Sequence, residues 1–198
     1  MSASPMSRPF REAGDAAVFH VDLAPHSDRE TEALAWLDAP ERARRRRFLY
    51  AGPRREFTLC RGALRELLCR RLGCRNDRLS FSASRRGKPF ALVGGRAVSV
   101  AFNVSHSGKH GLIAVAPAGR VGVDLEERSR RRDLDTYIRL LFAPHERAEL
   151  EAAGEERKID LFYSLWTMKE ALIKAVGAGL AIDTTGFEIP PALYRGAR

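Results

Sequence analysis

Between residues 98 and 105 the chain alternates with little room for another reading. Val98, Val100, Phe102 and Val104 are interleaved with Ser99, Ala101, Asn103 and Ser105. Period two sends the two sets to opposite faces of a strand, one apolar and one mostly small and polar. The strand runs into a polar turn, Ser105-His106-Ser107-Gly108, and Leu112 to Ala116 supplies the return strand. Two stretches carry a helical core stripe. From Arg54 to Leu72, Phe57, Cys60, Leu64, Leu67, Leu68 and Leu72 recur every three or four residues, and Gly73 ends the helix. From Glu155 to Val176, Leu161, Leu165, Met168, Leu172 and Val176 form a second seam, closed by Gly177-Ala178-Gly179.

The remaining elements fall between these. Ala16 to Leu23 reads as a first strand, ended by Pro25. Ser27 or Asp28 can cap a helix through Leu37, and Pro40 suits the first turn of another from Glu41 to Tyr50, broken by Gly52-Pro53. Leu79 to Ala83 and Phe90 to Val93 are strands around the basic turn Arg85-Arg86-Gly87-Lys88-Pro89. Tyr137 to Phe142 is helical, Ala143-Pro144 opens a helix through Ala152, and Phe187 to Ile189 begins a strand. The halves are loosely alike, with helices, then strands, then helices, then the start of strands.

With 198 residues, 44% apolar and 30% charged, the chain has the balance of a globular protein and room for one large domain or two small lobes. No apolar run reaches 18 residues, and Met1 to Ala17 carries no secretory pattern, so residues 1–15 read as a disordered arm. Cys60, Cys69 and Cys74 lack metal-ligand spacing and read as free thiols in a reducing cytoplasm. The formal charge of +9 favours a polyanionic partner: nucleic acid, a phosphorylated small molecule or an acidic protein.

One more segment carries chemistry. In Val121-Gly122-Val123-Asp124-Leu125-Glu126 the apolar residues alternate with Gly122, Asp124 and Glu126. Read as a strand, it puts both carboxylates on one face, with Gly122 leaving room for a ligand to approach. Two adjacent carboxylates repel, so they need a basic side chain or a hard divalent cation between them, unless the segment is an edge strand with a solvated acidic face. On the second long helix, Trp166, Glu170 and Lys174 are four residues apart and share a face.

Phe102 to Gly108 (FNVSHSG), Val121 to Glu126 (VGVDLE) and Trp166 to Lys174 (WTMKEALIK) together resemble the 4′-phosphopantetheinyl transferases, in their single-chain, Sfp-like branch. The likeness runs from about Arg44 to Phe187. It implies an α+β fold of two pseudo-symmetric lobes, each a small, mainly antiparallel sheet packed with helices. The amino-terminal lobe would span 16–120 and a carboxy-terminal lobe, incomplete at its end, 121–198. It implies transfer of the phosphopantetheine arm of coenzyme A to a serine of an acidic apo carrier protein, releasing adenosine 3′,5′-bisphosphate, by a cytoplasmic monomer with no nucleic-acid or membrane partner. It assigns Mg²⁺, with Mn²⁺ an alternative, to Asp124, Glu126 and Glu170. Glu170 is also the general base, and Lys174 pairs with the departing phosphate. Ser105 and His106 touch the nucleotide phosphates. Lys88 and Pro89 line the adenine and 3′-phosphate side, and Arg44 and Arg61 hold the 3′-phosphate.

Other residues take ordinary roles. Trp166 is a packing residue, Lys169 a solvated or salt-bridged neighbour, and Glu127 structural. Two alternatives remain. One is a nucleic-acid-binding protein using Arg42 to Arg47 and the Arg128 to Arg132 cluster, although no aromatic residues interleave those runs. The other is a catalytically inactive coenzyme A-binding relative.

Overall fold

A computed structural model describes residues 5–129, 133–177, 179 and 182–195. Residues 130–132 of the second basic cluster and Ala178 of the helix-closing turn lie outside them.

Most of the expected arm is ordered into the sheet. Strand β1 (Arg8–Ala13) pairs antiparallel with β2 (Ala16–Asp22) across a turn in which Gly14 takes φ +57. Every β1 side chain is exposed. Its place therefore rests on ladder hydrogen bonds and on Met6, which is buried and donates its N–H to Glu66 at 2.9 Å. Helix α1 (Ser27–Trp36) is capped by the ring of His26 rather than by Ser27 or Asp28. Helix α2 (Ala39–Arg46) opens on a reciprocal capping box between Asp38 and Glu41.

The next helix, α3 (Ala51–Leu72), starts earlier than Gly52-Pro53 suggested. Both residues sit in its first turn, where a missing proline N–H costs nothing because no carbonyl of the helix awaits it. Gly73 ends it in the left-handed conformation. Gly62 brings α3 against α1 almost backbone to backbone, since a Cβ there would lie 2.8 Å from Ala33 Cα.

The strands β3 (Leu79–Ala83), β4 (Pro89–Val93) and β5 (Arg96–Ala97) make a small antiparallel sheet. The hairpin of β6 (Ala101–Ser107) and β7 (His110–Ala116) joins the first two strands in a larger sheet of order β1-β2-β7-β6. β6 continues through Ser107, so the turn shrinks to Gly108-Lys109 and His106 stands on the strand instead of at its tip. α3 covers the sheet's apolar face. Gly111 of β7 admits the Cys60 thiol, which would be 2.8 Å from a Cβ. Leu59, Leu64, Leu68, Phe102, Ile113 and Val115 complete that core.

Beyond residue 117 the described residues contain helices and no strand: α4 (Leu134–Leu141), α5 (Pro144–Ala152), α6 (Glu155–Val176) and α7 (Pro191–Tyr194). The fold is α+β with two sheets, but both sheets belong to the amino-terminal part. A second core gathers Ile138, Phe142, Leu150, Phe162, Leu165 and Ile189.

The buried face of α6 is Phe162, Leu165, Lys169 and Ile173, while Leu172 and Val176 are 47% and 42% exposed. The seam lies about one residue from the expected one, and a lysine occupies its middle. Lys169 is fully buried. Its ammonium pairs with the buried Glu146 of α5 at 2.7 Å and donates to the carbonyls of Thr184 and Phe187. Glu146 also accepts the N–H of Ala143 and of Ile189. The segment expected as a strand at Phe187–Ile189 is instead held extended by this ion pair.

Candidate functional site

The acidic segment lies along the outer edge of β6 but forms no ladder with it. Side chains make the join instead. Asn103 Oδ1 accepts the N–H of Val123 at 2.8 Å, Ser105 Oγ donates to Asp124 at 2.8 Å, and Ser107 Oγ accepts the N–H of Glu127 at 2.8 Å. Numbers rise together on both sides, so the two stretches run in the same direction. The polar half of the alternation that defines β6 is thus the surface that receives the acidic segment. Glu127 has the structural place expected of it.

Gly122 has a different use from the one expected. A Cβ on it would lie 1.9 Å from the carbonyl oxygen of Ala171 and 2.6 Å from the nitrogen of Ala175. The room it leaves is filled by the backbone of α6, not by a ligand. This contact brings the acidic segment and α6 together.

At that junction Asp124 is almost fully buried. Its Oδ1 accepts from Ser105 and from Lys174 Nζ at 2.5 Å, and Lys174 also donates to Ser105 at 3.0 Å. Its Oδ2 is buried with no hydrogen-bond partner. Burial pushes the carboxyl pKa of Glu170 up, the Asp124 charge adds to the rise, Lys174 opposes it, and Glu126 contributes a smaller rise. Asp124, Glu126, Glu170, Lys174, Ser105 and His106 all line one pocket of about 360 Å³, with Trp166 in its wall.

Two further pockets adjoin it. A cleft of about 450 Å³, lined by Gly87, Lys88, Pro89 and Ile182 among others, shares Trp166, Glu170 and Lys174 with it. A smaller hollow of about 190 Å³ holds Arg44, Phe57 and Arg61 and shares Val104 and His106 with it. Every site residue named from the sequence lines one of these three adjoining pockets. Arg61 stacks over Phe81 and Phe57, and Arg44 over Phe57. Arg61 also faces Glu41 at 3.5 Å, and His106 Nδ1 stands 3.4 Å from Glu56. The arginines and the Lys88-Pro89 pair, expected on one side, occupy pockets with no lining residue in common, on either side of the acidic one.

Lys88 lines the cleft, but its ammonium is turned into the protein. Its ammonium donates to the carbonyls of Val121, Lys174 and Ala175 at 3.1, 2.8 and 2.5 Å. Its stem packs on Gly177, where a Cβ would lie 2.7 Å from Cδ. What it offers the cleft is stem and backbone.

Among the described residues no three His, Cys, Asp or Glu side chains are gathered closely enough to form a ready-made metal cage. The donor chemistry nonetheless fits a hard divalent cation. An orphaned buried carboxylate oxygen and two further carboxylates share a pocket with a single ammonium. The carboxylates would have to draw together around the ion.

Several arginines of the first basic run are engaged within the fold. Arg42 donates to the carbonyls of Leu37 and Ala35, and Arg45 to Thr58. Arg128 of the second cluster pairs with Asp160. Sequence reasoning missed Asn103 and Glu56. The first was legible in principle, as the residue between Ala101 and Ser105 on the polar face of β6. The second had no local signal.

A model of the 4′-phosphopantetheinyl transferase superfamily matches residues 120–195, and one for the amino-terminal part of such transferases matches residues 23–118. This chain belongs to the 4′-phosphopantetheinyl transferase family. Relatives of this family agree. The protein slr0495 of Synechocystis sp. is 40% identical over 147 residues, covering 74% of this chain and 59% of that one. The 4′-phosphopantetheinyl transferase HetI of Nostoc sp. is 38% identical over 152 residues, 76% of this chain and 63% of its own. The 4′-phosphopantetheinyl transferase ffp of Bacillus subtilis is 30% identical over 166 residues, 83% and 71%. The chain thus spans about six tenths of the length of the first two. No helix among the described residues is long and apolar enough to cross a membrane.

Proposed function

We propose that this member of the transferase family moves the 4′-phosphopantetheine arm of coenzyme A onto a serine of an acidic apo carrier protein. The observation that carries the reading is the state of Asp124. One oxygen is held by Lys174 and Ser105, the other is buried and unpartnered, and Glu170 and Glu126 face the same space.

The shape of the groove suits the substrate. The adenosine 3′,5′-bisphosphate unit of coenzyme A branches three ways from its ribose, into base, 3′-phosphate and 5′-diphosphate. Three pockets that meet at the acidic centre can take one arm each. The base lies in the cleft beside Pro89 and the Lys88 stem, the 3′-phosphate faces Arg44 and Arg61, and the diphosphate lies over Asp124, Glu126 and Glu170. His106, on the wall shared by two pockets, reaches toward phosphate from the arginine side.

In the reaction the carrier serine oxygen bonds to the phosphorus that bears pantetheine. The bond from that phosphorus to the bridging oxygen breaks, and adenosine 3′,5′-bisphosphate leaves. Such transfers depend mostly on positioning and charge neutralisation. Asp124, Glu126 and Glu170 would hold Mg²⁺ or Mn²⁺, which when bound offsets charge on the diphosphate. Glu170, its proton affinity raised by burial and by its acidic neighbours, takes the serine proton directly or through water. Lys174 sets the orientation of Asp124 and, one helical turn from Glu170, neutralises charge on the leaving phosphate. The net charge of +9 steers coenzyme A and an acidic carrier toward the groove. The three free thiols suit a reducing cytoplasm.

Incubation of the protein with coenzyme A, Mg²⁺ and a panel of apo carriers, read by mass spectrometry, tests the reading. One phosphopantetheine adduct on at least one carrier is expected. A folded sample that binds coenzyme A yet modifies no carrier would support the inactive relative. Salt-sensitive nucleic-acid binding without coenzyme A binding would support the other alternative.

A further inference from the structure

The basic turn between β3 and β4 reaches out of the amino-terminal part and ends on the last turn of α6. Ser84 shapes it. Its N–H donates to the carbonyl of Lys88, its carbonyl accepts from Gly87, and its hydroxyl accepts from the N–H of Lys88. The lysine ammonium then meets three carbonyl oxygens. Two, from Lys174 and Ala175, are among the carbonyls that the end of α6 leaves without a helical partner. A cation there also meets the negative end of the helix dipole. The third, from Val121, lies three residues before Asp124. These carbonyls belong to the two elements that supply the acidic centre: α6 with Glu170 and Lys174, and the segment with Asp124 and Glu126.

Two other joins link these elements: Lys174 of α6 pairs with Asp124 at 2.5 Å, and Gly122 packs on Ala171 and Ala175, a steric contact without direction. The Lys88 stem fits because Gly177 has no side chain; a Cβ there would lie 2.8 Å from Lys88 Cβ.

We infer that Lys88 is a positioning residue. By bridging the end of α6 to the start of the acidic segment, its ammonium sets the spacing between Glu170 on one and Asp124 and Glu126 on the other, and so the fit of those carboxylates to a divalent cation. This rests on the transferase reading for the choice of cation, and it gives the ammonium a role besides the lining of the adenine and 3′-phosphate side. A phosphate ligand and a clasp differ in what their loss weakens. Loss of a ligand weakens coenzyme A binding whether or not metal is present. Loss of a clasp weakens cation binding and leaves metal-free coenzyme A binding nearly intact.

Lys88→Met keeps most of the stem over Gly177 and removes the ammonium. Lys88→Arg keeps a cation but cannot converge its planar donors on three carbonyls. Two binding measurements on the full chain decide the matter. Mn²⁺ affinity is read by electron paramagnetic resonance with Mn²⁺ alone, and coenzyme A affinity by calorimetry in a chelator. In Lys88→Met the Mn²⁺ affinity should fall about tenfold or more, with metal-free coenzyme A affinity within about twofold of wild type. Amides of residues 173–176 should exchange faster with deuterium. Should Lys88→Met not fold, Lys88→Arg is read by the same comparison: a larger loss for Mn²⁺ than for coenzyme A supports the clasp. A loss confined to coenzyme A, or no loss of either, overturns it in both variants. Carrier modification by a wild type that binds no Mn²⁺ would sink this inference alone. Lys88-dependent Mn²⁺ binding by a wild type that modifies no carrier would sink the transferase reading alone.

Discussion

The acidic centre depends on a missing methyl group. Gly122 lets the backbone of the acidic segment touch the backbone of α6, and the atoms a Cβ would strike, Ala171 O and Ala175 N, cannot swing aside. Overpacking of this kind costs about 1–3 kcal/mol, with the upper end expected against backbone. Gly122→Ala should therefore lower the melting temperature by about 6–12 °C, read by calorimetry or circular dichroism. An unchanged transition would mean that the segment is not pressed on the helix. A second residue-scale effect concerns His20, which is buried between β1 and β7. Arg8 donates to its Nδ1 at 3.3 Å, and its Nε2 is 2.9 Å from His110 Nδ1. Burial, then Arg8 and His110, hold its pKa below the ordinary 6.5, with Asp22 opposing. In the unfolded chain the ring takes a proton near the ordinary value, while in the fold it resists until lower pH. The stabilisation is thus complete above about pH 6.5 and lost as pH falls below it toward the folded value. The melting temperature should drop from pH 7.5 to 5.5, and His20→Gln should flatten that drop. Equal slopes would show that another group controls it.

At the scale of elements, the helices were the legible part, and the reason is local. α6 begins at Glu155 and ends at Val176 as its periodicity and Gly177 require, and α5 begins at Pro144. The α2–α3 boundary was misread because Gly52-Pro53 looks the same breaking a helix as starting one. The acidic strand was misread for a different reason. Its alternation is real, but its partners are the side chains of Asn103, Ser105 and Ser107, and alternation cannot tell a ladder from a side-chain join. The ion pair of Lys169 lies within the expected reading, but its burial was illegible because a lysine in a helical pattern ordinarily marks the wet face. Here it ties α6 to α5 and to the chain around Phe187. Lys169→Met leaves the Glu146 carboxylate buried without its cation and should cost about 3–5 kcal/mol in denaturant unfolding. Adding Glu146→Gln should recover part of that loss, because the amide keeps an acceptor while shedding the charge. Two losses that simply add would show that the pair is not coupled.

For the whole molecule, the residues named from the sequence line adjoining pockets, while the scaffold differs from the expected one. The ten residues named for the site come from α2, α3, the β3–β4 turn, the first residue of β4, β6, the acidic segment and α6, and all of them line three adjoining pockets. Six of them stand in the three short motifs, and Arg44, Arg61, Lys88 and Pro89 were named through the family resemblance alone. What could not be read was which atoms are free. Lys88 is taken by carbonyls, Lys174 by Asp124, and one Asp124 oxygen is left buried and alone. Those are facts of packing between distant segments, and no local pattern carries them. The second sheet expected in the carboxy-terminal lobe has no counterpart among the described residues, where α4 to α7 close around their own core. We propose that Asp124 organises the reacting diphosphate. Its most direct test is the rate of carrier modification by Asp124→Asn across a Mg²⁺ titration, alongside the wild type, with circular dichroism to establish that both are folded. The expected result is a fall of about 10²-fold or more that added Mg²⁺ does not restore. A folded Asp124→Asn protein that modifies carrier at the wild-type rate and with the same Mg²⁺ dependence would contradict it.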